Sequence, residues 1–73
     1  MREKEQSREE ILAVIAEAIE NGKEVLLTQL TGSGETVENA ALPISVEGNY
    51  LTVEADGYGF DIEIGKIKAA KSI

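Results

Sequence analysis

The spacing of apolar residues changes once along the chain, near Gly22. Before it, Ile11, Leu12, Ile15, Ala16 and Ile19 recur at three- and four-residue steps. Arg8, Glu9, Glu17 and Glu20 fall largely opposite them, a pattern that predicts one amphipathic helix. Ser7 and Glu10 have the capping-box spacing, in which each side chain satisfies an unpaired amide of the first turn, so Ser7 is the expected N-cap. Asn21-Gly22 supplies a residue suited to the left-handed conformation that ends helices, placing the stop at about Glu20 or Asn21. The head, Met1 to Gln6 (MREKEQ), is charged and has no apolar period; it reads as a disordered lead-in to a single domain over residues 7–73.

After Gly22 the period becomes two. Glu24 to Thr31 is rich in strand formers, and its Val25-Leu26-Leu27 run predicts a central strand buried on both faces. Gly32-Ser33-Gly34 is a turn; without a following helix or a Gly-Lys-Ser/Thr sequence it has no character of a phosphate loop. Glu35 to Leu42 is a more polar strand, and Pro43, which lacks a ladder donor, forces a bend or an edge. Ile44 and Val46 then alternate with Ser45 and Glu47 up to the Gly48-Asn49 hairpin signal. In Tyr50 to Ala55, Leu51, Val53 and Ala55 share one face while Tyr50, Thr52 and Glu54 share the other. Asp56-Gly57 is the favoured type I′ pair. The returning strand sets Tyr58, Phe60, Ile62 and Ile64, read as core, against Gly59, Asp61, Glu63 and Gly65. A short last strand, Lys66 to Ala70, is expected to place Ile67 and Ala69 inward and Lys66 and Lys68 outward.

Counting Glu35 to Glu47 as one strand bent at Pro43, the elements are one helix and five strands. The fold class is therefore mainly β with one N-terminal α-helix. Its expected architecture is a five-stranded antiparallel, partly open small barrel of SH3-like or Sm-like type, with the helix capping one end. The helix needs such a partner, because a helix this short is marginal alone in water.

That order resembles the Sm-like and SH3-like small barrels, and two families within that range share further residues. Pro43 to Ile67 resembles a WYL domain: Asn49-Tyr50-Leu51 falls on the Trp-Tyr-Leu signature, and Tyr58-Gly59-Phe60-Asp61-Ile62 with Lys66-Ile67 on the ending of that motif. This resemblance implies a regulatory module that senses a small ligand or nucleic acid through a basic groove, although the tryptophan and the basic residues of that groove are absent. Tyr50 to Ala55 and Ile62 to Ile67 are also similar to the last strands of the acidic Rho-binding antiterminators. That similarity implies a free-standing acidic protein that blocks the RNA site of a basic partner; the family's cysteine-containing head is absent, and Gly65 stands where an aspartate is usual.

Charge sharpens the picture. The 73 residues, enough for one domain, carry 14 Asp plus Glu against 7 Lys plus Arg, a net −7. From Glu24 to Gly65 there are eight acids and no base, while the rest of the chain is close to neutral. A segment with that balance repels phosphate backbones, so direct nucleic-acid binding is not expected. Cysteine and histidine are both absent, which removes thiolate nucleophiles, disulfides, imidazole or thiolate metal sites and every Ser-His arrangement. No enzymatic activity, cofactor or metal is expected. The apolar run Ile11 to Ile19 is too short to span a membrane, and the expectation is a soluble cytoplasmic protein.

The candidate site is the acidic sheet face: Glu54, Asp61 and Glu63, with Asp56 at the hairpin tip and Tyr50 as the one aromatic expected to face solvent. Pairing through the Asp56-Gly57 turn sets Glu54 near Gly59 and Asp61. Such a cluster would steer and dock a basic protein partner, as a nucleic-acid mimic or regulator. The same acids would also serve simply to keep a sheet face solvated and its edges unpaired. A binding module of this kind is thus weighed against a designed or structural small barrel with no evolved ligand, in which caps, turns and alternation all agree on one fold, and against a WYL-like sensor. The chain would be a monomer or an edge-strand homo-oligomer, the edges lying beside Pro43 or towards Ile73, with Lys66 and Lys68 opposing the pairing.

Overall fold

A computed structural model describes residues 6–73; the lead-in expected at residues 1–5 lies outside the described residues. The helix α1 spans Arg8–Asn21. At its start Ser7 is extended, its Oγ accepts from the Glu10 amide at 3.1 Å and its amide donates to Glu10 Oε1 at 2.8 Å, completing the capping box. At its end Gly22 is left-handed, the Lys23 amide donates to the Ala18 carbonyl and the Gly22 amide to that of Ile19, the two bonds of a Schellman motif. Gln6, assigned to the lead-in by composition, is held against the sheet: its Oε1 accepts from the Ala70 amide at 2.6 Å.

Five strands follow: β1 (Val25–Leu30), β2 (Thr36–Glu47), β3 (Tyr50–Ala55), β4 (Tyr58–Glu63) and β5 (Ile67–Ser72), with one turn of 3₁₀ helix, Ile64–Lys66, between the last two. All neighbours are antiparallel, in the order β4-β3-β2-β1-β5. Among the described residues no ladder joins β4 to β5, so the sheet is not closed into a barrel and these two strands are its edges.

The long strand β2 is what bends the sheet. Its first half, Thr36 to Ala41, pairs with β1, and its second half, Leu42 to Glu47, pairs with β3. Pro43 sits at the changeover, two residues past the last β1 partner, where a missing amide interrupts no β1 ladder bond. Ile44 is left without a partner in a bulge between Pro43 and Ser45. A bulge and a proline at one position turn the strand from one half of the sheet to the other. The bend at Pro43 is as expected, and because residues 36–41 pair only with β1 and residues 42–47 only with β3, each half of β2 is laddered on one side.

The core lies on the inner side of the bend. Ile11, Ile15 and Ala18 of α1 meet Val25 and Leu27 of β1, Leu51 and Val53 of β3, and Ile62, Ile64, Ile67 and Ala70 from the end of the chain. The helix packs chiefly on β5, β2 and β1. On β1, Val25 and Leu27 are fully buried but Leu26 is only half-buried, so the outer face of this central strand is only partly covered.

Two expectations about facing are corrected. Tyr58 and Phe60 are not core residues: they are 74% and 48% exposed. They do share the inner face with Ile62, opposite Ala55 and Val53, but β2 turns away from β3 at Pro43 and the helix packs chiefly on β5, β2 and β1, so among the described residues these two rings lie outside the core cluster. In β5 the inward pair is Ile67 and Ala70, not Ile67 and Ala69. The β1–β5 register shifts between Thr28 and Gln29, which makes Ile67 oppose Gln29 and Ala69 oppose Thr28. Lys66 belongs to the 3₁₀ turn rather than to the strand.

Candidate functional site

The acidic face is assembled by two tight turns. Gly48-Asn49 sets Glu47 against Tyr50, and Asp56-Gly57, both with positive φ as a type I′ turn requires, sets Ala55 against Tyr58. Alternation then carries the register outward in three rows across β2, β3 and β4. Glu47, Tyr50 and Glu63 form the first row, Ser45, Thr52 and Asp61 the second, and Leu42, Glu54 and Gly59 the third.

Four acids therefore share the face with no base among these nine residues. Tyr50 is 52% exposed and lies between Glu47 and Glu63 on the neighbouring strands. Asp61 lies directly across from Thr52, whose Oγ1 donates to Asp61 Oδ1 at 2.8 Å; Glu54 lies opposite Gly59 and diagonal to Asp61. The expected proximity of Glu54 to Gly59 is thus met by direct pairing, and that to Asp61 by a diagonal. Glu47 completes the face and was not among the candidates; the two-residue turn that makes 47 and 50 register partners is the signal that identifies it. At the same end of the hairpin Arg8 Nη2 donates to Asn49 Oδ1 at 3.2 Å, tying the start of α1 to the β2–β3 turn.

The carboxylates are spread rather than convergent. Among the described residues no three acidic side chains lie close enough together to hold a metal ion. The arrangement is chemically a flat anionic lattice with one aromatic ring in it, able to present several separated acceptors to cationic groups.

Asp56 stands apart from the other four candidates. It is in the left-handed conformation at the hairpin tip, φ 54°, and lines a groove of about 570 Å³ on the inner side of the sheet with Tyr58, Phe60, Gln29 and Asn39. The structure thus brings Tyr50, Glu54, Asp61 and Glu63 onto one face and puts Asp56 at the rim between that face and the groove. The sequence reading missed the groove because it counted Tyr58 and Phe60 as core.

The sequence matches no protein-family model and no curated protein. Among the described residues no helix is long and apolar enough to cross a membrane.

Proposed function

We propose that the protein is a non-enzymatic binding module whose outer β2–β3–β4 face docks a basic segment of a protein partner. The observation that carries this reading is the three-by-three register in which Glu47, Glu54, Asp61 and Glu63 surround Tyr50 and Thr52 without an intervening base. Separated surface carboxylates accelerate encounter with a cationic partner, and an exposed tyrosine supplies the apolar contact that such an interface otherwise lacks. The strand order and the 3₁₀ turn before β5 are the features that support likening it to SH3-like and Sm-like small barrels, and the acidic antiterminators offer an analogy of use: an anionic surface occupying a basic partner's nucleic-acid site. A cytoplasmic location is part of the same proposal.

The test is a titration of isotope-labelled protein with a short oligolysine peptide, followed by amide shifts. The expected result is saturable change concentrated at Glu47, Tyr50, Thr52, Glu54, Asp61 and Glu63, lost in a folded Glu54→Lys, Asp61→Lys double variant. Shifts spread evenly over this face and the acids of α1, or an unaltered response of the double variant, would sink the reading and leave the solvated face of a structural domain as its explanation.

A further inference from the structure

The groove on the inner side of the sheet is built from groups with a common preference. Tyr58 and Phe60 project from the same side of β4, two residues and so about 7 Å apart along the strand, and both are exposed on a face whose remaining β4 member, Ile62, is core. Asp56 brings a carboxylate to the same wall. Facing them are Gln29 of β1 and Asn39 of β2, whose side-chain amides have no hydrogen-bond partner among the described residues. Among the described residues that line it, none is basic.

We infer that this groove is an arginine-anchoring site, which takes one arginine side chain of the basic partner proposed above and rests on that reading. Aromatic faces attract cations, and arginine exploits them more often than lysine because its planar guanidinium also stacks. One ring can take the guanidinium face while the other packs on the methylene stem. The remaining demand is for acceptors: guanidinium has five N–H donors, and the groove offers one carboxylate and two amide oxygens. Lysine, a compact and strongly hydrated point charge, would use neither the flat stacking surface nor the dispersed acceptors as fully. Asp56 at the rim connects the two surfaces, so a basic segment lying on the outer face can turn one side chain around the hairpin tip into the groove.

The experiment titrates the protein with N-acetyl-arginine amide and follows the ring protons of Tyr58 and Phe60, with the lysine and norleucine analogues in parallel. Saturable ring shifts are expected with arginine, weaker ones with lysine and none with norleucine. Asp56→Asn keeps the turn, since asparagine tolerates the left-handed conformation; it and Tyr58→Leu should each weaken arginine binding roughly five- to tenfold. The Glu54→Lys, Asp61→Lys variant separates the two proposals: it should lose oligolysine docking yet retain the arginine-induced ring shifts. Equal response to norleucine, unchanged affinity in both groove variants, or loss of the arginine response only in the outer-face variant would each overturn the assignment.

Discussion

Thr52 and Asp61 face each other across the β3–β4 ladder, and the threonine hydroxyl donates a 2.8 Å hydrogen bond to the aspartate. This bond holds the central carboxylate of the acidic face in one place instead of leaving it to sample rotamers. Thr52→Val keeps the shape and the strand preference but removes the donor. It should lower stability by about 0.5–1 kcal/mol, the range for a cross-strand polar pair. Urea denaturation would read the change, and an unaltered midpoint would mean that the bond adds nothing net to the hairpin.

The helix cap offers a second measurement. Ser7→Ala removes the hydroxyl that satisfies the Glu10 amide and should cost about 1 kcal/mol, whereas Ser7→Gly should cost only a few tenths. In a domain of this size a loss of 1 kcal/mol lowers the thermal midpoint by roughly 4–8 °C. Circular dichroism melts of the two variants would show the contrast, and equal midpoints would show that the cap is not formed in solution.

The exposure of Tyr58 against the burial of Ile62 makes a third test. Both lie on the inner face of β4, but Ile62 is in the core cluster while Tyr58 is 74% exposed. Ile62→Ala should destabilise by roughly 2–4 kcal/mol through lost burial and a cavity. Tyr58→Thr, which keeps a strand-forming residue, should stay within about 0.5 kcal/mol. Chemical denaturation of both decides it: comparable losses would show that Tyr58 is packed as alternation alone would have it.

That contrast marks how far the sequence was legible. Local chemistry read well: Ser7 and Glu10 announce the helix start, Gly22 its end, and Asp56-Gly57 its hairpin, because each depends only on residues a few positions apart. Alternation likewise assigned Tyr50, Thr52 and Glu54 to the face they share with Asp61 and Glu63. What alternation does not convey is how far the opposing layer extends. Tyr58 and Phe60 are on the inner face as their spacing implies, but whether anything lies over them depends on where β2 turns and where α1 is laid, both set by distant packing. The one-residue shift in β5 was illegible for the same reason: it arises in the ladder between Thr28 and Gln29 and their partners near the end of the chain, and no short-range pattern encodes it.

A fourth prediction concerns the hairpin that links the acidic face to the groove. Gly57 has φ +83°, and a Cβ added there would meet no atom within 4 Å. Gly57→Ala should therefore cost about 1–2 kcal/mol purely through backbone strain. Differential scanning calorimetry would measure it, and a neutral outcome would mean that the turn can adopt another type.

The pairing of Val25 with Ser72 has a kinetic meaning. The ladder between β1 and β5 joins strands far apart in the chain, so its closure carries the largest entropic cost of any ladder in the sheet and should come late in folding. The β2–β3–β4 portion needs only successive two-residue turns. The surface proposed to meet a partner thus belongs to the fast-forming, locally encoded half of the molecule, while the helix and last strand belong to the half that seals the interior. Transient opening at β5 would then expose core without dismantling the acidic rows.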